Sequence, residues 1–335
     1  MANIAFYGVK PWGQEYLKKY LKGHKLYFHE EHIDEEHPPT EKDIDILSVF
    51  VGSNVTAEVI GSLPKLKYIT TRSTGFDHID LKACEERKIL VSNVPSYGEN
   101  TVAEYAFALI LVLSRRIYDA YEQVREEGDF SYDNLQGFDL MGKTLGVIGT
   151  GRIGKHTARI GKGFDMEVLA YDVSPDKKFA RKIGVKYVSL EKLLKESDIV
   201  SLHVPYMKET HHLINKEKIA LMKKGSYLIN TSRGAIVDTQ ALVGALKSGL
   251  LAGAGLDVFE EEEAVKDEAS FLSAKDTTDH DLRNVIADHI LVDMPNVIVT
   301  PHNAFNTKEA LERILDTTVE NVNKFLKRKP QNIVN

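Results

Sequence analysis

Thiols are nearly absent from this chain: Cys84 is its single cysteine. No intramolecular disulfide can form, and a metal site built from cysteines is excluded. A reducing cytoplasm is the compartment that such usage fits. An excess of positive charge is missing too. The 43 Lys and Arg stand against 49 Asp and Glu, for a net charge of −6. A chain of this balance has no general attraction for nucleic acid or anionic lipid, so neither is expected as a partner. The opening MANIAFYGVK has no basic stretch followed by an apolar one, so no signal peptide is expected. The longest apolar run, around Ala106–Leu113, is too short to span a bilayer. What remains is an ordinary globular composition over 335 residues, 43% hydrophobic and 27% charged. That is too long for one core, so two domains are expected.

Short β-branched runs alternate with longer amphipathic stretches. The first series is Asn3–Tyr7, Lys25–His29, Ile46–Val51, Lys67–Thr71 and Ile89–Val94. The second is Thr144–Gly149, Glu167–Tyr171, Ile199–Val204, Ser226–Asn230, Leu251–Asp257 and Val297–Thr300. Strands separated by helices imply parallel sheets covered on both faces. The expected fold is therefore α/β: two Rossmann-like or flavodoxin-like doubly wound parallel-sheet domains with a cleft between them. Thr101–Glu127 reads as one long helix with apolar residues at helical spacing and no internal Gly or Pro. Its hydrophobicity suggests a homodimer interface. A second long helix, roughly Lys308–Lys327, follows the last strand and can cross back to the first domain. The expected division is 1–100 plus 301–335 for substrate and 101–300 for a dinucleotide.

The dinucleotide expectation rests on KTLGVIGTGRIG. Gly149, Gly151 and Gly154 form G-x-G-x-x-G between an apolar strand and a helix. In that context the first glycine makes the tight turn, the second admits a pyrophosphate, and the third lets helix approach strand. The helix N-terminus, beginning at Arg152 and Ile153, then faces the anion. Asp172 ends the next strand, 21 residues after Gly151, where an acidic group accepts from the ribose hydroxyls of NAD and repels a 2′-phosphate. NAD is thus expected over NADP. The bland alternative, turn glycines plus a solvated Asp, needs spacing, context and Asp to coincide.

Three charged residues are not explained by the fold alone. Arg233 follows a buried-looking strand in INTSRGAIVD, Glu262 follows LLAGAGLDVF, and His302 follows VIVT. All lie past C-terminal strand ends, where open α/β sheets bind ligands. Reducing a keto acid needs a guanidinium to grip the carboxylate. It needs an imidazolium to protonate the carbonyl oxygen, and a carboxylate to orient that imidazole. Each residue also has a structural alternative. Arg233 can pair with Asp238, any of Glu260–Glu263 can be solvated, and His302 can satisfy a loop carbonyl. Asp257 can cap a turn or hold a nicotinamide amide or ribose. Phe50, at the end of ILSVF, can cap a small methyl pocket or serve as a core aromatic. None of this chemistry calls for a metal.

The ordered set TRSTGFDHIDL, NVPSYGENTVAEYA, GVIGTGRIG, SLHVPYMKETHHLI, INTSRGAIVD, GAGLDVFEEE and TPHNAF resembles the D-isomer-specific 2-hydroxyacid dehydrogenases, most closely their D-lactate dehydrogenase branch. The resemblance runs from about residue 68 to 305. It implies that Arg233 binds substrate, that Glu262 partners the acid/base His302, and that Glu260 is the second choice of carboxylate. It implies that the Thr74–Gly75 backbone meets the substrate carboxylate, with Tyr97 lining the same site. It further implies NAD contacts from Arg152, Ile153, Val204, Pro205, Thr231, Ser232 and Asp257. The sequence departs from the broader family where Ala264, not Pro, follows the acidic run, and His302 comes 40 residues after Glu262. A small 2-keto or 2-hydroxy acid, foremost pyruvate and D-lactate, is the implied substrate. An NADH-sensing binding protein is the competing class, and the intact Arg, Glu and His set argues against it.

Overall fold

The structure is a computed structural model that describes residues 1–262 and 282–335. Ala264 and the rest of the polar insert up to Asp281 lie outside the described residues. Packing divides the chain into two compact units, Met1–Tyr97 with Asn306–Asn335, and Gly98–Phe305.

The first unit is built on strands β1 (Asn3–Phe6), β2 (Lys25–Phe28), β3 (Ile46–Val49), β4 (Tyr68–Thr71) and β5 (Leu90–Ser92), all parallel, in the order β2-β1-β3-β4-β5. This is the flavodoxin-like order, whose direction of winding switches between β1 and β3. β3 and β4 are buried along their whole length. That explains why they read as apolar runs and not as alternating ones. The C-terminal helix Lys308–Leu326 completes this unit. Its Leu315 and Val322 pack with Ile4, Phe6, Ile46 and Tyr68, and Phe325 stacks on Tyr68 at 4.2 Å between ring centres.

The second unit carries β6 (Thr144–Ile148), β7 (Glu167–Tyr171), β8 (Lys186–Tyr187), β9 (Ile199–Leu202), β10 (Ser226–Asn230), β11 (Leu251–Leu256) and β12 (Val297–Val299). The order β12-β11-β10-β9-β6-β7-β8 is the Rossmann order with one further strand, and it reverses between β6 and β9. The two-residue β8 is too short to leave a period in the sequence.

The stretch 101–127 is not one helix. An α-helix runs Glu99–Arg115, Arg116 turns left-handed at φ +49°, and Ile117–Glu122 and a π-turn Gln123–Glu127 follow. The cause is long-range: Phe138 N–H donates to Ser114 O at 2.8 Å, taking a carbonyl that a continuing helix would need. Before the break, Val102, Ala106, Phe107, Leu109 and Ile110 are buried, and Phe107 stacks on Phe164 within the same unit. After it, Ile117, Tyr118, Tyr121, Val124, Phe130 and Tyr132 are exposed. Among the described residues no helix is long and apolar enough to cross a membrane.

Candidate active site

The C-terminal edge of the second sheet begins with the glycine loop. Gly149 has φ +88°, and a Cβ there would stand 2.6 Å from His203 O and 2.8 Å from Val204 Cγ1. A Cβ on Gly154 would stand 1.9 Å from Gly149 O. The loop therefore closes only around these two glycines. Gly151 is the N-cap of the helix Arg152–Gly163, and its Cα faces open space. That is the cradle a pyrophosphate requires at a helix N-terminus. Beside it, the Asp172 carboxylate accepts from Thr150 N–H at 2.6 Å, Thr150 Oγ1 at 2.9 Å and Ser174 N–H at 2.8 Å. Partial burial opposes its ionisation, but the Ser174 and Thr150 hydrogen bonds outweigh this and hold the carboxyl below its usual range. Its negative charge thus stands at the end of β7, beside the glycine loop. Across the sheet's reversal point, Thr231 Oγ1 is buried with no hydrogen-bond partner among the described residues. A bound cofactor amide or ribose would supply one. The residues present fit a dinucleotide.

Arg233 sits in the turn between β10 and a 3₁₀ turn, Gly234–Ile236. Asn230 braces that turn at both ends, accepting from Ser232 N–H at 3.0 Å and donating through Nδ2 to Arg233 O at 2.9 Å. Ser232 Oγ donates to Leu202 O, tying the turn to β9. Gly234 is obligatory, since a Cβ there would lie 1.9 Å from the Phe259 carbonyl carbon. The sequence reading passed over it, although the glycine following the arginine was visible.

His302 follows β12 with φ +50°, a conformation rare for a residue with a side chain. Asp257 imposes it. His302 N–H donates to Asp257 O at 2.8 Å, while the buried Asp257 carboxylate accepts from Thr300 Oγ1 at 2.6 Å, Asn303 N–H at 2.8 Å and Ala304 N–H at 2.9 Å. Burial nevertheless raises the carboxyl pKa of Asp257, against the pull of those hydrogen bonds. The imidazole Nδ1 lies 3.0 and 3.2 Å from the two oxygens of Glu262. Glu260 faces elsewhere, with His212 Nε2 at 2.6 Å and Thr239 Oγ1 at 2.9 Å. A further carboxylate, which sequence reasoning missed, lies beneath the acidic run. Asp288 is fully buried on the helix Leu282–Asp293 and accepts from Glu261 N–H at 3.0 Å. Desolvation, helped by the charges of Glu260, Glu261 and Glu262, pushes its pKa up to about 7.

In the first unit the residues singled out also lie past C-terminal strand ends. Thr74 Oγ1 donates to Val94 O at 2.8 Å, and Ser73 Oγ donates to Gly75 O at 2.6 Å, so the turn after β4 is stiff. Tyr97 O accepts from Arg313 Nε at 2.6 Å. Phe50 is half-buried at the end of β3, with its ring 5.7 Å from the guanidinium carbon of Arg72. Arg72 is the residue that sequence reasoning missed here. It is buried, and donates to Ser48 Oγ at 2.9 Å, Tyr7 O at 2.5 Å and Gly8 O at 2.8 Å. Burial lowers its pKa to about 9. It gathers the loops after β1, β3 and β4 at the switch point of the sheet.

Comparisons with known proteins match this geometry. Residues 107–304 fit the family model described as D-isomer specific 2-hydroxyacid dehydrogenase, NAD binding domain. The crystal structure of D-lactate dehydrogenase from Aquifex aeolicus, in complex with NAD and lactic acid, is similar at 42% identity and TM-score 0.86, covering 98% of this chain and 96% of that one. A 2-hydroxyacid dehydrogenase homolog of Schizosaccharomyces pombe is 40% identical, covering 96% of each chain. A glyoxylate reductase of Korarchaeum cryptofilum is 38% identical, covering 91% of each.

Proposed function

The chain belongs to the D-isomer-specific 2-hydroxyacid dehydrogenases and uses NAD, and from that premise we propose that it interconverts D-lactate and pyruvate. The observation that carries the reading is the His302–Glu262 pair, 3.0 Å apart, on the same sheet edge as Arg233 and the glycine loop. With Nδ1 engaged by Glu262, the imidazole offers Nε2 to the substrate. In reduction Nε2–H donates its proton to the carbonyl oxygen, and in oxidation neutral Nε2 takes the hydroxyl proton. Glu262, with its two oxygens 3.0 and 3.2 Å from Nδ1, fixes the orientation of the ring. Arg233 holds the substrate carboxylate through two parallel hydrogen bonds. Thr74, Gly75 and Tyr97 are assigned to substrate, and Phe50 to selectivity for its side chain. NAD, when bound, exchanges a hydride with the substrate's C2.

Gly149, Gly151, Arg152, Ile153 and Gly154 cradle the pyrophosphate, Asp172 the ribose, and Val204, Pro205, Thr231, Ser232 and Asp257 the nicotinamide end. Asp172 makes NADH preferred over NADPH. The exposed apolar patch from Ile117 to Tyr132, with Phe130 93% and Tyr132 89% exposed, is assigned to a homodimer contact. The cytoplasm is the assigned compartment, on the single buried Cys84.

The test is a steady-state panel of pyruvate, hydroxypyruvate, glyoxylate and branched keto acids with NADH and NADPH. Pyruvate with NADH should give the highest kcat/KM. A higher value for glyoxylate would move the enzyme toward its glyoxylate reductase relative. Equal use of NADPH would remove Asp172 from the ribose.

A further inference from the structure

The loop 206–212 follows β9 and carries two adjacent histidines, His211 and His212. Their rings stack at 4.0 Å between centres. His212 Nε2 meets Glu260 Oε1 at 2.6 Å, and one ligand atom from each of His211, His212 and Glu260 lies within 4.8 Å of the others. A hydrogen bond accounts for His212 and Glu260 but not for the stacking of a second, solvent-exposed imidazole beside them. We propose that these three side chains form a binding site for a divalent transition-metal ion of the zinc type, separate from the His302–Glu262 pair.

The donor set is right for such an ion: two imidazole nitrogens and one carboxylate oxygen, with a fourth position open to water. Zinc bonds of about 2.0–2.2 Å place neighbouring ligand atoms roughly 3.3 Å apart. Closing on an ion means parting His212 Nε2 and Glu260 Oε1, now 2.6 Å apart, and bringing all three ligand atoms from within 4.8 Å to that spacing. The outer partners that orient ligands are in place as well. Thr239 Oγ1 donates to Glu260 Oε2 at 2.9 Å, and Tyr206 Oη lies 3.4 Å from His211 Nδ1. Backbone bonds connect the site to the substrate-binding turn. His212 N–H donates to Ala235 O at 2.8 Å, two residues beyond Arg233, and Glu260 lies two residues before Glu262. Occupancy would cross-link the loop 206–212 to the segment after β11 and stabilise the folded unit in proportion to ligand concentration.

The experiment uses tag-free protein, stripped with chelator and dialysed, then titrated with Zn²⁺ by calorimetry and by thermal melting. Turnover is not the readout, so the result stands apart from the substrate assignment. One saturable equivalent and a rise in Tm are expected. His211→Ala, an exposed change that leaves the His212–Glu260 pair intact, should weaken binding by about tenfold or more, and Thr239→Val by about tenfold. His302→Ala should bind as the native protein does. Absence of a saturable equivalent, or unchanged affinity in His211→Ala, would overturn the site. Loss of binding in His302→Ala would move the ion to the His302–Glu262 pair and overturn it equally.

Discussion

Both sheets bury a charged side chain beneath the loops at their C-terminal edge, but the charges are opposite. In the first unit it is Arg72, donating to the carbonyls of Tyr7 and Gly8 and to Ser48 Oγ. In the second it is Asp257, accepting from the N–H groups of Asn303 and Ala304 and from Thr300 Oγ1. The difference follows from what each set of loops leaves unsatisfied. Loops that turn sharply after strands cannot pair their own polar groups, and a buried unpaired group costs about 1–3 kcal/mol. One edge presents spare carbonyls and takes a cation. The other presents spare N–H groups and takes an anion. Function divides along the same line in our reading: the acid edge holds His302 in its strained conformation for proton transfer, and the basic edge shapes Phe50 and the Thr74–Gly75 turn.

The largest effect should come from removing the proton carrier. His302→Ala should lower kcat in both directions by about 10²–10⁴-fold while NADH binding is kept. A loss of only a few-fold would place the proton donor elsewhere. Glu262→Gln should cost less, because the amide can still hold the imidazole by a hydrogen bond while the carboxylate is lost. A native kcat in Glu262→Gln would separate Glu262 from His302, and Glu260→Gln would then be measured in its place.

The buried charges come next. Arg72→Met strands two carbonyls, and should lower stability by about 2–4 kcal/mol. Asp257→Asn turns one acceptor oxygen into a donor facing N–H groups, and should cost about 1–3 kcal/mol. Urea midpoints measure both. If Asp257→Asn unfolds at the native midpoint, the carboxylate is not what organises its edge.

A smaller effect, with a definite sign, is expected at Asp288. Its pKa is raised from 3.8 to about 7 by burial, so the folded chain binds a proton that the unfolded chain has released. The stability linked to this group is complete below about pH 4 and declines as pH rises to about 7. Asp288→Asn removes the titration. The variant should therefore gain on the native protein between pH 4 and 7 and keep that margin above it, as read from urea midpoints at pH 5 and 8. A margin independent of pH would show that Asp288 is ionised throughout.

The smallest effect should be at Phe50, on the basic edge. Phe50→Leu or Phe50→Ala should raise the use of branched keto acids relative to pyruvate by about tenfold or less, the scale of a methylene or two in an apolar pocket. A fall in stability with an unchanged ratio would return Phe50 to a packing role beside Arg72.

Strand–helix alternation was enough to read the α/β class and two parallel sheets, because both rest on hydrogen-bond periods that repeat within a few residues. G-x-G-x-x-G and the glycine of S-R-G were legible for a related reason: each is a local turn whose backbone excludes a side chain, whereas Arg233 and His302 were picked out by their chemistry and by the family resemblance. Tertiary structure alone decided what depends on distant partners. The helix read as Thr101–Glu127 stops at Arg116, because Phe138, 24 residues beyond Ser114, claims the Ser114 carbonyl. Glu260 and Glu262 are alike in sequence, and only chain closure sets one against His212 and the other against His302. Neither Arg72 nor Asp288 stands out in the sequence. Their burial follows from loops and helices that meet them in space, where an unpaired polar group must find a partner or stay with water.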